Sequence, residues 1–583
     1  MNSFTQPPTT AAQQVATHHY DVIVLGSGAA GFAAATTAAC NGLKVLLIEK
    51  AETFGGTSAI SGGAVWIYGT DQAKAAGFDD SAEAMRTYLK QTIGAGYNAE
   101  LVDTYIERGH EALGWLEKHT ELAYAIRPLS PDYYPDEQGG TDRGRALEMV
   151  EYDGRALGEH FKTLKMPPAG MLLFGGMMVN RADIQHFLSF KRSPGSLWHC
   201  LKLMARYGID RIRHHRGTRL TVGNALIARL ATTAFANGVE LWLSSNTDSL
   251  IVENGTVTGV LVTRNGVQQR VLARGGVICA MGGFAAGKLA ANFRPDTGTP
   301  HLSMSPSSNS GDGMRLGETV NAACGHDMAA NFFWAPVSEL THKTGERERF
   351  PHLVTDRAKP GVIAVNRAGQ RFVNEANSYH HFVQAMFATG SSPCWLICDS
   401  EALSRYGMGL ARPSPVDNSA LINAGYLHRA ESAEQLAQAI GVDPQALSQT
   451  LARYNADARE GVDHVFAKGG NSYNRYMGDP DHRPNPCLAP LSKAPWYAIQ
   501  LHTGDLGSAR GLVTDRNANV LDRSGAPIPG LYAAGNDMNS LMDGTYPGPG
   551  ITIGPGLTFG YIAASHIAQR LKLAAPLKTT VEH

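Results

Sequence analysis

Gly26, Gly28 and Gly31 form a GxGxxG run between a β-branched stretch, Tyr20–Leu25, and a small-residue stretch, FAAATTAACNG. That order suits one kind of chemistry. The first glycine makes a tight turn, the second lets backbone approach a pyrophosphate, and the third allows close packing of helix on strand. The helix start then points its free N–H groups and positive dipole end at the phosphates. Glu49 follows at close to the roughly 20-residue separation expected of an acid that binds a ribose 2′-hydroxyl. An acid there, in place of Arg or Lys, favours a free 2′-hydroxyl, as in FAD or NAD.

Two further pieces favour FAD. The loop FGGTSAISGGAVW, Phe54–Trp66, supplies small residues and hydroxyls for a second close approach to a dinucleotide. The late run GLYAAGN, Gly530–Asn536, returns the chain to the same region, as a long cofactor lying across several loops requires.

These pieces need elements to position them. Tyr20–Leu25 reads as a buried parallel strand, the stretch ending at Gly42 as a helix, and Leu43–Ile48 as the next strand, closed by Glu49. Helical periodicity covers about 80–118 and residues 125–180 read as loop. Helices follow at Leu197–Arg216 and Asn224–Asn237. Strands are expected at Glu240–Leu243, Thr247–Glu253, Val257–Arg264, Val267–Ala273 and Gly276–Met281, with hairpin turns at Asn254-Gly255 and Asn265-Gly266. The texture changes near Arg294–Pro300 and returns after Trp496, ending in a helix at Gly556–Leu571. The expected fold is α/β: a discontinuous Rossmann-like FAD-binding domain with an inserted α+β catalytic domain. The boundaries are a disordered tail at 1–17, the first part of the FAD domain at 18–299, the insertion at 300–495 and the second part at 496–583.

Composition sets the outer limits. Lys and Arg number 51 against 52 Asp and Glu, so no general nucleic-acid footprint is expected. Gly is abundant, 64 of 583 residues, which suits close backbone approaches around a bulky cofactor. The seven Cys are scattered without a CxxC pair, so neither a disulfide framework nor a metal site is expected. The N-terminal stretch MNSFTQPPTTAAQQVATHH has no apolar core of a signal peptide, and no apolar run is long enough to span a bilayer. The expected location is cytoplasmic.

The glycine motif, the GG-rich loop and GLYAAGN together resemble the flavoprotein family of fumarate reductases and 3-ketosteroid dehydrogenases, over about 18–575. NSGDG at Asn309–Gly313 and VNRAGQRFVNE at Val365–Glu375 match as well. The resemblance, with the motif reading, gives a set of candidate FAD contacts. They are Gly26, Gly28, Ala29, Ala30, Gly31, Glu49 and Lys50; Gly56, Thr57, Ser58, Ser61, Gly62 and Gly63; and Gly282, Asp312, Gly535, Asn536, Ile551 and Ile553. Some members attach FAD to a His in the GG-rich loop. That loop here offers Thr57, Ser58 and Ser61 and no His, so FAD is expected to be non-covalent.

Two positions separate the branches. The dicarboxylate-reducing branch has an Arg shortly after the NE motif and a second near the C-terminus. Here the runs are NEANSYHH, with Tyr379, and GTYPGPGITIGPGLTFGY, with Tyr546. A neutral phenol does not clamp a carboxylate as a guanidinium does. TYPGPG is similar to the active-site signature of 3-ketosteroid Δ1-dehydrogenases. The resemblance implies that Tyr546 and the Gly550 N–H hold a ketone oxygen and that Tyr379 takes the α-proton. Tyr133 of SPDYYPDEQGG supports it, with Tyr134 as the register alternative. The family's further upstream Tyr is Ser130 here.

The chemistry is coherent on its own terms. Desaturation beside a carbonyl removes a proton from the α-carbon and a hydride from the β-carbon, and charge builds on the ketone oxygen. Two preorganised donors there are each worth about 2.7–4 kcal/mol in known oxyanion holes. The expected substrate is a small lipophilic cyclic ketone, with a 3-ketosteroid first, a smaller cyclohexanone derivative second, and a fumarate-reductase-like reaction as the remaining alternative. The electron acceptor stays open.

Other residues invite functional readings. His380 and His381 are expected at the surface or behind the site. Met166, Met171, Met177 and Met178 fit core or inter-domain packing as well as pocket lining. The helix near Trp198–Arg216 is read as solvated, with a peripheral membrane contact as the alternative.

Overall fold

The computed structural model describes residues 16–191 and 193–574. Of the tail expected over 1–17, residues 1–15 lie outside the described residues, and Thr17 already opens the first strand.

The first sheet is built on the expected βαβ unit. Strand β1 (Thr17–Leu25) leads into helix α1 (Ala29–Cys40) and strand β2 (Val45–Ile48). Val22–Leu25 pair in parallel with Val45–Ile48 on one side and with Gly276–Cys279 on the other. All four residues of β2 are buried, as a strand covered on both faces requires. Glu240–Trp242 adds a parallel edge beyond β2. The expected pair of strands at Val267–Ala273 and Gly276–Met281 is one strand, Val267–Cys279. Val267–Leu272 pair antiparallel with Gly259–Arg264, while Arg270–Cys279 run parallel to β1. The two Asn-Gly turns have positive φ at both residues, 51° and 76° at Asn254-Gly255 and 52° and 74° at Asn265-Gly266, the geometry of type I′ hairpins.

The chain crosses to a second, seven-stranded sheet and comes back. The strand at Trp496–Ser508, placed by the sequence reading at the start of the returning FAD domain, is the centre of the second sheet. It pairs antiparallel with Phe332–Thr341 and with Cys394–Asp399. By sheet membership the return to the first sheet comes at Asn519–Leu521 and Pro527–Ala533, the latter parallel to Val277–Cys279. The last helix, Ile553–Ala574, packs on α1. There Gly560 is required, since a Cβ would stand 2.5 Å from the Ala30 carbonyl oxygen.

Other expectations shift by local chemistry. The helical span at 80–118 is two helices, Ala82–Ile93 and Ala99–His119, separated by Gly94–Gly96 and restarted by the Asn98 cap. The helix expected at Leu197–Arg216 is α2 (Pro194–Arg213), and Arg216 turns inward to 1% exposure over the Phe161 ring. Met177 and Met178 are buried and Met166 is exposed, while the Met171 side chain lies outside the description. All seven cysteines are free thiols. Among the described residues no helix is long and apolar enough to cross a membrane.

Candidate functional site

The start of α1 is an open cradle. Gly26 has φ +96°, and a Cβ there would lie 2.3 Å from the Ala280 carbonyl oxygen; a Cβ on Gly31 would lie 1.9 Å from the Gly26 carbonyl oxygen. Both glycines are demanded by the protein itself. Gly28, Gly56 and Gly62 are different. A Cβ on Gly28 would meet only Ser58 Oγ, at 3.5 Å, on Gly56 only Gly28 Cα, at 3.9 Å, and on Gly62 nothing within 4 Å. These three face space, as a backbone that must admit a pyrophosphate and a flat ring does. Gly28 caps α1 without a side-chain hydrogen bond, and Ala29 N–H donates to Ser58 Oγ at 3.0 Å.

The neighbouring residues hold that cradle. Glu49, 7% exposed, accepts from the Ser27 N–H and hydroxyl through Oε2 (3.1 and 2.6 Å) and from Ala51 N–H through Oε1 (2.9 Å). Ser61 donates to the Ser58 carbonyl and accepts from Gly63 N–H, fixing the GG-rich loop. Asn309 Nδ2 donates to Thr57 Oγ1 and to the Gly282 carbonyl, both at 3.0 Å. Lys50 and Asp312 bind each other at 2.6 Å, with Ser310 beside them. Across the cradle, Gly535 approaches Ala30, and Asn536, Ile551 and Thr552 line a cleft with Phe333 and Ser508. Ile553 is buried at the start of the last helix. Two helix starts therefore converge on one cleft. The residues present fit FAD: open glycines at a helix start, a buried acid at the ribose position, and a second glycine loop.

Three tyrosines meet beside this cleft. Tyr133 donates its phenol proton to the Tyr379 hydroxyl oxygen at 3.2 Å. The Tyr133 ring stacks on Tyr546 with centroids 5.6 Å apart and planes at 12°, and Tyr379 meets Tyr546 edge-on at 5.0 Å. All three are buried, at 8%, 4% and 5% exposure. Tyr379 opens helix α3 (Tyr379–Ala388), whose cap Ser378 accepts from His381 N–H. Tyr133 is fixed by its own N–H, which donates to the Pro547 carbonyl at 2.9 Å; Tyr88 donates to the same oxygen at 2.6 Å. One carbonyl thus ties Tyr133 to the TYPGPG turn. Tyr134 instead bonds Ser378, so the structure places Tyr133 beside Tyr379. Gly550 has φ +110°, and a Cβ would lie 2.5 Å from the Ala64 carbonyl oxygen. Ser130 is buried with its N–H on the Asp142 carbonyl.

Burial dominates the electrostatics. It pushes Tyr133 and Tyr379 well above the ordinary phenol range and raises Tyr546 too. The three are neutral phenols at neutral pH. His380, expected at the surface or behind the site, is fully buried beside Tyr546, with ring centroids 6.2 Å apart. Its Nδ1 accepts from Trp334 N–H, and burial pushes its pKa down to about 3, so the ring is neutral.

Several supporting residues carried no signal in the sequence. Asp132, next to Tyr133, accepts from Trp66 Nε1 (2.7 Å) and Arg145 (2.8 Å), and Arg145 also grips Asp80 at 2.7 Å. Tyr473 packs on Tyr133 at 4.8 Å. Asp537 accepts from Met281 and Gly283 N–H groups and so closes the far side of the cradle. Its position directly after Asn536 was the only hint.

Several known proteins resemble the chain over most of its length. The family described as FAD binding domain matches residues 21–553. A 4-oxocyclohex-2-ene-1-carboxylate 5-dehydrogenase of Sinomonas cyclohexanicum is 38% identical over 93% of this chain and 92% of its own. A 3-oxosteroid 1-dehydrogenase of Mycobacterium tuberculosis is 36% identical over 93% of this chain and 97% of its own. Among solved structures, the 3-ketosteroid Δ1-dehydrogenase of Sterolibacterium denitrificans, in complex with 1,4-androstadiene-3,17-dione, superposes with a TM-score of 0.88 at 36% identity. That match covers 95% of this chain and all of that one.

Proposed function

The chain belongs to the FAD binding domain family, and from that premise we propose that it is an FAD-dependent dehydrogenase that introduces a double bond beside the carbonyl of a cyclic ketone. A 3-ketosteroid desaturated at C1–C2 is the first choice of substrate. The observation that carries the reading is the three-tyrosine cluster beside the glycine cradle, with Tyr133 donating to Tyr379 and both packed on Tyr546.

The roles are those the family resemblance implies, and the tyrosine cluster supports them. The Tyr546 hydroxyl and the Gly550 N–H hold the ketone oxygen and stabilise the charge that grows there as the α-proton leaves. Tyr379 takes that proton at its phenolic oxygen. Tyr133 stands where its donated hydrogen bond stabilises the Tyr379 phenolate. Gly28, Glu49, the Gly56–Gly63 loop and the Gly535–Ile553 face would hold FAD, which would supply the hydride acceptor for the β-carbon. The bound FAD is non-covalent, and acid precipitation should release all of it into the supernatant. Buried aromatic walls exclude water from the forming enolate.

A smaller ring is the second reading. It is favoured by the 38% identical relative, whose name gives an oxocyclohexene carboxylate as its substrate. The same tyrosines serve either ring. A dicarboxylate substrate has less support, because neutral phenols stand at Tyr379 and Tyr546. The partners in this reading are a lipophilic ketone, an external electron acceptor and a membrane surface met peripherally from the cytoplasm.

The test is anaerobic mixing of the holoenzyme with androst-4-ene-3,17-dione while the oxidised-flavin absorbance is followed. Rapid bleaching and a product lighter by two hydrogens support steroid desaturation. Bleaching with 4-oxocyclohex-2-ene-1-carboxylate and not with the steroid selects the smaller ring. Silence with both ketones overturns the tyrosine assignment.

A further inference from the structure

Arg357 is a buried cation beside the tyrosine cluster that none of the roles above uses. It is 4% exposed, and among the described residues its side chain bonds backbone carbonyls and no carboxylate. Nε donates to His352 at 2.8 Å, Nη2 to Leu353 at 3.1 Å, and Nη1 to Glu375 and Asn377 at 2.7 and 2.9 Å. The last two carbonyls belong to NEANS, the run that delivers Tyr379 to the start of α3. The guanidinium also lies over the Phe382 ring, one turn into that helix, 5.1 Å from its centroid. Nearby acids are engaged elsewhere: Asp356 Oδ2 meets His352 Nδ1 at 2.6 Å, and Glu375 holds Arg371 at 2.7 Å. Arg145 and Arg371, also buried, each bond two carboxylates directly.

We propose that Arg357 is a positioning residue of the desaturation: it fixes the approach to Tyr379 and sets beside the Tyr379–Tyr133 pair a positive charge that favours the phenolate. The inference rests on the reading above in which Tyr379 takes the α-proton. A buried cation without a bonded anion is costly to keep, because carbonyl dipoles replace its water only in part. A phenolate formed nearby offsets that cost, and the cation favours the phenolate in return. The two neighbourhoods meet at Tyr473. Its ring packs on Tyr133 at 4.8 Å, and its hydroxyl has no hydrogen-bond partner among the described residues. Burial raises Tyr473, and Arg357 opposes the rise. Burial works against the Arg357 charge itself, and Tyr473 leads the groups that favour it, with Asp356, Glu375 and Tyr133. The other ionisable groups around the pair do not supply this charge. Tyr546 and Tyr134 are buried phenols, and burial pushes His380 and His381, on the helix of Tyr379, down. Asp132, pushed up to about 6 by burial, is ionised in the alkaline range and paired with Arg145. Arg127, which also favours a Tyr133 phenolate, is shared with Glu148 at 3.6 Å. Lys359 reaches the Met477 and Gly478 carbonyls.

The test reads the proton step alone, on holoenzyme whose flavin has been reduced beforehand. Exchange of the α-hydrogen in deuterium oxide is followed against pH with androst-4-ene-3,17-dione and with 4-oxocyclohex-2-ene-1-carboxylate. Two variants separate charge from shape. Citrulline at position 357 keeps the planar side chain, with an oxygen for one nitrogen, and removes the charge. Arg357→Lys keeps the charge and loses the planar fork. A cation that favours phenolate holds the alkaline climb at lower pH, so its loss moves the climb up. With citrulline the climb should shift by about one pH unit, or about tenfold in exchange at a fixed pH on it. Arg357→Lys should stay closer to the parent than citrulline does. Arg357→Gln, a second neutral variant, should shift as citrulline does, and flavin content and melting show that each variant is folded. A residue that only braces the loop gives the reverse order, with citrulline near the parent and Arg357→Lys impaired, and that result overturns the inference. If Tyr379→Phe keeps the parent climb, the reading of Tyr379 fails and the inference with it. If Tyr379→Phe loses the climb while both neutral variants keep the parent profile, the inference alone is overturned.

Discussion

The Tyr133 phenol donates to the Tyr379 phenol across 3.2 Å, joining residues 246 positions apart in the chain. Each is held from behind by its own set of bonds, Tyr133 through Pro547 and Tyr379 through the Ser378 cap. The pair is therefore a fixed geometry. Replacing either end of the proposed proton and oxyanion machinery should leave the fold intact. Tyr379→Phe and Tyr546→Phe are each expected to lower turnover by about a hundredfold or more. Flavin content and melting should stay near the parent values. Near-parent turnover in either variant removes that residue from the mechanism.

The pH dependence has a definite sign. Burial raises Tyr379 above the ordinary phenol range. A base must be deprotonated to act, so the active fraction of free enzyme grows as pH rises through the alkaline range. The kcat/KM profile should climb toward high pH with no alkaline fall from this group. In Tyr379→Phe the residual rate should lose that climb. A parent profile that falls between neutral and alkaline pH would contradict the assignment.

What the sequence could show depended on how local the signal was. The glycine turn, the βαβ unit and the two Asn-Gly hairpins are set by neighbours a few residues apart, and each appears at its expected place. The sequence reading starts the returning segment at 496, and Trp496–Ser508 pairs within the second sheet, since WYAIQLHTGDLGS reads as a strand in either. Its partners, Phe332–Thr341 and Cys394–Asp399, lie far away in sequence. Of the two readings of His380, surface or behind the site, the second is the one observed. Adjacency to Tyr379 places it on another side of α3, but that side is also covered, by the strand that carries Trp334. Nothing in SYNRYM marks Tyr473 as a neighbour of Tyr133.

The support behind Tyr133 should be costly to break. Arg145, 1% exposed, joins Asp132 and Asp80 at 2.8 and 2.7 Å, and Asp132 is the residue directly before Tyr133. Burial pushes the Asp132 carboxyl up to about 6 even against the pull of Arg145. Arg145→Met leaves two carboxylates without their cation, and breaking a buried pair from one side costs about 3–5 kcal/mol. Urea unfolding should show that loss. Turnover should fall with it as Tyr133 loses its seat. A change below about 1 kcal/mol, the scale of an exposed pair, would mean that the network contributes little.

Gly26 and Gly28 separate the needs of the protein from those of its cofactor. At Gly26 a side chain meets the Ala280 carbonyl at 2.3 Å and an unfavourable φ of +96°, so Gly26→Ala should destabilise the protein with or without FAD. At Gly28 φ is −73°, and a Cβ meets only Ser58 Oγ at 3.5 Å. The apoprotein should accept Gly28→Ala with melting unchanged. The methyl group then occupies the space through which the pyrophosphate must approach the α1 N–H groups. Gly28→Ala should therefore purify with reduced flavin and show FAD affinity lower by about tenfold or more, roughly the value of one lost close charged contact. Fluorescence titration of apoprotein with FAD, beside apoprotein melting, gives both quantities. If Gly28→Ala binds FAD as the parent does, the pyrophosphate lies elsewhere and the cradle has been misread.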